Sequence, residues 1–179
     1  MCRIQHINLS VNNPHSPDRK PLSLILQKTN IVMQNSVLAN FYERDLRKLI
    51  EEVNLFGDEK DLWRTQGSVR NSGGNLVLHI IGGLNHFIGA TLAQTGYVRN
   101  RDQEFIKKGV ERKDLVTQLE ELIPIINTTV NALTQEQMEA EFPVFFDKPN
   151  TSTRYVLTQL LLHLNYHLGQ VNYIRRVFE

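Results

Sequence analysis

Two histidines stand four residues apart in an apolar stretch near the C-terminus, as His163 and His167. On an α-helix, residues i and i+4 share one face, with their Cβ atoms about 5–6 Å apart. Two imidazoles at this spacing can bind one metal ion, although a metal site normally needs further ligands. The pair is a weak signal alone, so its meaning depends on whether another buried helix supplies a third ligand.

His79 is a candidate for that third ligand. It lies in the middle of segment 72–95, where apolar residues occupy almost every side of the helix, as is typical of a buried helix. His86 follows seven residues later on nearly the same face, so the periodicity leaves it open as a rival. Gly82 and Gly83 lie between them, and glycine inside a helix costs up to about 1 kcal/mol relative to alanine. Such glycines indicate that a neighbouring backbone or a ligand comes close.

A histidine in an apolar window is most often an ordinary core residue. Three histidines on two helices, two of them at ligand spacing, favour a metal site more strongly than any one of them. Neutral imidazoles bind Zn, Ni, Fe or Cu, so the donor set does not select the metal. The residues therefore predict a divalent metal site without naming its ion.

The elements that would position these histidines are long amphipathic or buried helices. Apolar residues recur at three- and four-residue spacing in four segments, and no pair of strands is visible. Thr134 and Gln137 form a capping pattern that predicts a short extra helix before the last one. The fold class is therefore all-α, a four-helix bundle with long connections. The predicted helices span approximately residues 34–56, 72–95, 113–133 and 152–177, with the short extra turn at 134–141.

Four local features refine this picture. The first predicted helix carries an apolar stripe that should face the core, made of Leu38, Phe41, Leu46, Leu49, Val53 and Phe56. Segment 97–111 is charged and is predicted to be a solvated loop that crosses one end of the bundle. Segment 142–146 is too apolar for a free loop, so we expect it to pack down as a lid or a short extended segment. Pro124 should kink the third predicted helix.

Residues 1–32 differ in composition from the rest. They contain Pro14, Pro17 and Pro21 among polar residues, without a sustained apolar period. We interpret this segment as a flexible N-terminal extension, with the folded domain covering residues 33–179.

Composition excludes several classes of function. The net charge is +1 and basic residues alternate with acidic ones, so no nucleic-acid-binding surface is predicted. A single cysteine excludes an internal disulfide framework and suits a reducing compartment. The sequence shows no secretion signal and no apolar run of the roughly 18–20 residues that a membrane span needs. We therefore expect a cytoplasmic protein that does not associate with membranes.

The histidine pattern resembles the DinB/YfiT-like family of metalloenzymes. A histidine midway along the second helix and a His-x-x-x-His-x-Gly-Gln pattern on the last carry the resemblance, the latter running from His163 to Gln170. The charged segment 99–105 is similar to one uncharacterised branch of that family. The resemblance extends from Met33 to the C-terminus and leaves residues 1–32 outside.

This resemblance implies a four-helix bundle with a metal site open at one end, a small-molecule substrate and often a homodimer. The implied ligands are His79, His163 and His167, and His86 then becomes a pocket or core residue. Zn or Ni are the first expectations for the ion, with Mn or Fe as alternatives. Relatives include transferases and isomerases that use a low-molecular-weight thiol as cosubstrate.

The implied function is metal-dependent activation of a small thiol or a water molecule for attack on an electrophile. A metal-dependent hydrolase and a non-catalytic bundle stabilised by metal are the alternatives. Gln170 lies about one turn after His167 and could orient a ligand, or it could be an ordinary polar residue. Glu104 is a candidate acid, base or extra ligand, and the competing reading is an ion pair with Arg99 or Arg101.

Overall fold

The computed structural model describes residues 22–179, which form six α-helices. These residues contain no β-strand, only an isolated bridge between Glu141 and Ser152. The prediction of an all-α bundle is thereby confirmed. The helices are α1 (Leu22–Leu55), α2 (Gly73–Leu84), α3 (Arg101–Ile106), α4 (Arg112–Ala132), α5 (Gln135–Glu139) and α6 (Thr153–Val177), with a 3₁₀ helix at Glu59–Trp63 and a π-helical turn at Asn85–Ala90 that continues α2.

The four long segments α1, α2, α4 and α6 enclose one apolar core. α1 packs chiefly against α4 and α6, while α2 contacts α3, α4 and α6. Each long helix contributes side chains with almost no exposure, including Leu46, Ile80, Leu119 and Leu164. Burial of these faces stabilises the bundle and holds α2 beside α6, the two helices that carry the candidate ligands.

The buried face of α1 differs by one position from the predicted stripe. Phe41 is 42% exposed, with the Arg44 guanidinium over its ring, whereas Tyr42 is fully buried. The Tyr42 hydroxyl donates a hydrogen bond to the Leu157 carbonyl of α6 at 2.5 Å. The prediction of Phe41 in the core was wrong because Tyr42, four residues before Leu46, lies on the core side and its hydroxyl finds a buried acceptor.

α1 begins at Leu22, earlier than the start expected near residue 34. No proline or glycine occurs between Leu22 and Phe56, so the sequence contains no residue that would interrupt the helix there. Residues 1–21 of the predicted flexible extension lie outside the described residues. The extension and the domain boundary near Met33 stay predictions.

The connection after α2 departs from the solvated loop predicted for residues 97–111. It contains the six-residue helix α3, and Glu104 within that helix is buried. The Asn75 side-chain amide of α2 donates hydrogen bonds to the carbonyls of Glu104 at 3.0 Å and Lys107 at 2.9 Å. Local sequence did not reveal α3 because its position depends on these tertiary contacts with α2.

The segment before α6 follows the prediction in part. Thr134 and Gln137 form the expected capping box at the start of α5. Phe142 is buried and Phe146 is half-buried, and their rings lie 6.2 Å and 5.0 Å from the ring of Phe87. Phe145 points outward and is 72% exposed. This segment therefore packs its two outer phenylalanines over the end of α2.

None of the helices within residues 22–179 combines the length with the hydropathy that crossing a lipid bilayer would require.

Candidate metal centre

His79 on α2 meets His163 and His167 on α6. The ring centroids lie 5.0 Å apart for His79 and His163, 5.3 Å for His79 and His167, and 4.4 Å for His163 and His167. The ring planes are nearly perpendicular, at 82° to 87°. One ring nitrogen from each residue lies within 4.8 Å of the other two, and the group could hold a metal ion. We call these three residues the histidine cluster.

The spacing of the His79 and His163 nitrogens fits a divalent cation. His79 Nε2 lies 3.0 Å from His163 Nε2. Two nitrogens that each lie about 2.1 Å from one ion, at an angle of about 90–109°, are about 3.0–3.4 Å apart. Among the described residues, no fourth His, Cys, Asp or Glu joins the group. The donor set therefore fits a site with three histidine ligands.

The outer nitrogens of two of these rings have fixed partners. His79 Nδ1 donates to Glu104 Oε2 at 2.8 Å, and His167 Nδ1 donates to Gln170 Oε1 at 2.6 Å. An oxygen acceptor on Nδ1 keeps the proton there and leaves the Nε2 lone pair available. For His79, that lone pair is the one beside His163. Gln170 thus has the orienting position that its spacing suggested.

Gln170 should accordingly affect metal affinity without being a ligand. We expect Gln170→Ala to weaken Zn²⁺ binding by about tenfold, because His167 loses the acceptor that fixes its ring. Gln170→Glu keeps an acceptor oxygen and should retain most of the affinity. Competition titrations with a chromogenic chelator measure both variants, and equal affinities for wild type and Gln170→Ala would contradict this role.

Glu104 forms a buried ion pair beside the histidine cluster. Arg99 donates from Nε to Glu104 Oε1 at 2.7 Å and from Nη2 to Glu104 Oε2 at 2.9 Å. The two side chains are only 6% and 14% exposed for Glu104 and Arg99. Of the readings left open for Glu104, the geometry matches the ion pair with Arg99 and not with Arg101. The carboxylate also contacts the outer nitrogen of His79, away from the position of a metal ligand.

Gly82 is required by the close approach of Glu104. A Cβ atom at Gly82 would overlap the Glu104 carboxylate, whereas a Cβ atom at Gly83 would meet only Arg99 Nη2, at an ordinary 3.7 Å. The close approach that the glycines indicated is therefore made by a side chain from α3. Gly83 instead borders a cavity beside the histidine cluster.

These two glycines provide a matched pair of substitutions. Gly82→Ala should lower the free energy of unfolding by about 1–3 kcal/mol, because the methyl group displaces a buried carboxylate. Gly83→Ala should be neutral or stabilising by up to about 1 kcal/mol, because alanine is the better helix former and the site has room. Chemical denaturation measures both, and equal effects of the two substitutions would contradict the placement of Glu104 on Gly82.

Burial keeps the three imidazoles neutral. Desolvation lowers the pKa of His79 and of His167 below the ordinary histidine value. Desolvation, reinforced by the proximity of His167 and His79, lowers the pKa of His163 to about 4. Because metal ions bind the neutral form of imidazole, the whole histidine cluster is in its ligating form at pH 7.

The structure does not bring His86 into the histidine cluster. His86 lies on the π-helical turn after α2, half-buried, with its ring 4.7 Å from the ring of Phe87. The change to π-helical geometry after Leu84 could not be read from the sequence, where a regular helix placed His79 and His86 on one face.

Two cavities reach the histidine cluster, and they share no lining residue. The larger has a volume of about 760 Å³ and is bordered by His167, Gln170, Tyr166, Tyr173 and Arg70, among others. The smaller has a volume of about 320 Å³ and is bordered by His79, His163, Phe87, Arg99 and Arg101, among others.

The tyrosines of the larger cavity were not among the predicted site residues. Tyr166 and Tyr173 border this cavity and are 64% and 72% exposed. Their seven-residue spacing on the helix of His167 was the available signal. Arg70 lies in a connection outside the helices and gave no such signal.

The fold and site together define an all-α protein with a three-histidine cluster that could hold a metal ion. The chain belongs to the DUF1572 family, described as a protein of unknown function, whose pattern matches residues 34–179. A comparison with curated proteins gave no match.

Proposed function

We propose that this chain is a metal-dependent enzyme of the DinB-like type, which uses a small thiol or water as nucleophile against a small organic electrophile. The observation that carries the proposal is the convergence of three neutral imidazoles, two with anchored outer nitrogens, between two cavities. Zn²⁺ or Ni²⁺ are the first candidates, held by His79, His163 and His167.

Three neutral ligands leave the full charge of a divalent ion uncompensated. Such an ion, when bound, lowers the pKa of a coordinated thiol or water and so supplies a nucleophile at neutral pH. Glu104 and Gln170 hold the Nδ1 atoms of His79 and His167, which would leave the Nε2 atoms of both rings to hold the ion. Arg99 neutralises Glu104, and this balance allows a carboxylate to stay buried beside His79.

The two separate cavities favour a reaction with two substrates. A transferase needs room for a thiol and for an electrophile, whereas a hydrolase needs room for one organic substrate and water. The larger cavity, beside His167, has tyrosines and Arg70 at its border and suits the longer cosubstrate. The smaller cavity, beside His79 and His163, suits a compact electrophile. This arrangement supports the thiol transferase over the hydrolase.

A purely structural metal is less consistent with the site. Structural zinc sites are usually closed by four protein ligands, while catalytic sites keep three and an open position. The described residues supply three ligands, and both cavities border the ligands themselves.

The test is a thiol-dependence screen on the full chain loaded with Zn²⁺, Ni²⁺ or Mn²⁺. A chromogenic aryl halide serves as the electrophile, a series of low-molecular-weight thiols as cosubstrates, and His79→Ala as the matched variant. The proposal expects turnover that needs both metal and thiol and is lost in His79→Ala. Ester hydrolysis without thiol would favour the hydrolase instead. Equal rates for wild type and variant with every thiol and ester would overturn the enzyme proposal.

A further inference from the structure

An arginine side chain without an acidic partner borders the smaller cavity. Arg101, the first residue of α3, borders this cavity and is exposed. Its guanidinium lies over the Phe105 ring, 5.6 Å from the centroid, and forms no ion pair with any described residue. Arg99, the other arginine at this cavity, is already paired through two hydrogen bonds to Glu104.

The rest of the lining is apolar or neutral. Phe87 and Phe146 form an edge-to-face pair with ring centroids 5.0 Å apart, and Leu160 also contributes to the wall. His79 and His163 border the same cavity, and no carboxylate does. A ligand here therefore meets an aromatic wall, one uncompensated positive charge and the histidine cluster. The volume of about 320 Å³ lies at the small end for ligand pockets.

We infer that the smaller cavity binds a small organic carboxylate, with its anionic group on Arg101 and its carbon skeleton against Phe87 and Phe146. This inference rests on the proposed function, because it identifies the electrophile of that reaction as an anion. A planar guanidinium donates two parallel hydrogen bonds to the oxygens of a carboxylate, and a neutral ligand lacks the charge that strengthens this contact. The half-buried Gln159 offers an amide to a second polar group of the ligand.

The occupant is a compact acid for reasons of both charge and size. Arg101 is the one arginine at this cavity without a carboxylate partner among residues 22–179, so a monoanion balances the charge that the side chains themselves bring to the cavity. The two phenylalanines offer ring faces and edges to a flat or short apolar skeleton. Arg101 therefore acts as a substrate-binding and specificity-determining residue, and His79 and His163 of the histidine cluster border the same cavity.

The experiment follows binding of 4-fluorobenzoate to the full chain by ¹⁹F NMR, with 4-fluorobenzamide as the neutral counterpart. Each titration is run on chelator-treated protein and again on Zn²⁺-loaded protein. We expect saturable binding of the carboxylate, about fivefold weaker in Arg101→Gln, with Arg101→Lys intermediate. Wild type should bind the carboxylate more tightly than the amide. Arg101→Gln should bind the two ligands with equal affinity.

A charge-matched control is Lys107→Gln, which removes one positive charge just after α3 at a residue that does not border the cavity. This variant should bind the carboxylate like wild type. Because the chelator-treated titration does not depend on metal, its outcome is separate from the success of the proposed function. The inference is overturned if Arg101→Gln binds the carboxylate as tightly as wild type, or if no saturable binding occurs in either state. If the anion were held only by the metal, Arg101→Gln would bind the carboxylate as tightly as wild type.

Discussion

Replacing Glu104 with alanine should lower the free energy of unfolding by about 3 kcal/mol. The substitution leaves the Arg99 guanidinium with 14% side-chain exposure and no carboxylate, and it removes the acceptor from His79 Nδ1. Breaking a buried pair from one side is costly because the remaining charge stays desolvated. We expect the loss of stability to lie at the lower end of the range for broken buried pairs, since Arg99 borders a cavity and can regain some water. Urea denaturation of the metal-free protein measures this effect directly.

A more exposed arginine–glutamate pair with a similar Nε–Oε1 distance serves as the control. Arg154 Nε lies 2.8 Å from Glu139 Oε1, with side chains 33% and 54% exposed. Glu139→Ala should change the free energy of unfolding by less than about 1 kcal/mol. Glu104→Gln keeps the side-chain size and one acceptor oxygen. Its free energy of unfolding should therefore lie between those of wild type and Glu104→Ala. Equal, small effects of Glu104→Ala and Glu139→Ala would refute the burial of this ion pair.

His163→Ala should abolish stoichiometric metal binding while the protein stays folded. Two remaining imidazoles on different helices cannot close a three-ligand site, so the affinity should fall by at least about a hundredfold. Elemental analysis of wild type and variant, prepared side by side, measures the bound ion. Circular dichroism and thermal melts with and without chelator establish whether the fold survives.

His86→Ala is the matched control for this substitution. His86 is also half-buried and follows α2, but its ring packs against Phe87 and lies outside the histidine cluster. Metal content should stay at the wild-type level in His86→Ala. Loss of metal in His86→Ala, or its retention in His163→Ala, would show that the ligands have been assigned incorrectly.

The pattern of the candidate ligands could be predicted from the sequence because it depends on local helical geometry. The i, i+4 spacing of His163 and His167 fixes their shared face once α6 is a helix. The resemblance implied His79, but spacing alone did not distinguish it from His86, since that choice depends on how α2 continues beyond Leu84. A regular helix would align the two residues, and the observed π-helical turn does not follow from any residue type in that segment.

The surroundings of the candidate ligands were harder to predict from the sequence because they depend on tertiary contacts. Gly82 signalled a close approach, but the sequence did not reveal that Glu104 on α3 makes it. α3 itself is too short to show a periodic pattern, and Asn75 holds it against α2 through two backbone carbonyls. In α1, both Phe41 and Tyr42 fit an apolar stripe, and only the buried Leu157 carbonyl explains why the tyrosine faces the core.

These contacts make α3 part of the site. Glu104 connects α3 to His79, and Arg99, just before α3, closes the ion pair at the border of the smaller cavity. Arg101 adds the unpaired charge at the same border. The short helix thus supplies both the support for one candidate ligand and the group that we infer binds the substrate. Substitutions in α3 should consequently affect stability, metal affinity and ligand selectivity separately, according to the residue changed.

The most direct test of the account is a calorimetric titration of Zn²⁺ into the full chain, purified without a histidine tag and stripped of metal with chelator. The account predicts one saturable site, with about one ion bound per chain. The same titration with Ni²⁺ and Mn²⁺ ranks the candidate ions. Absence of saturable binding for all three ions would contradict the metal centre, and the three histidines would then be neutral residues packed between α2 and α6.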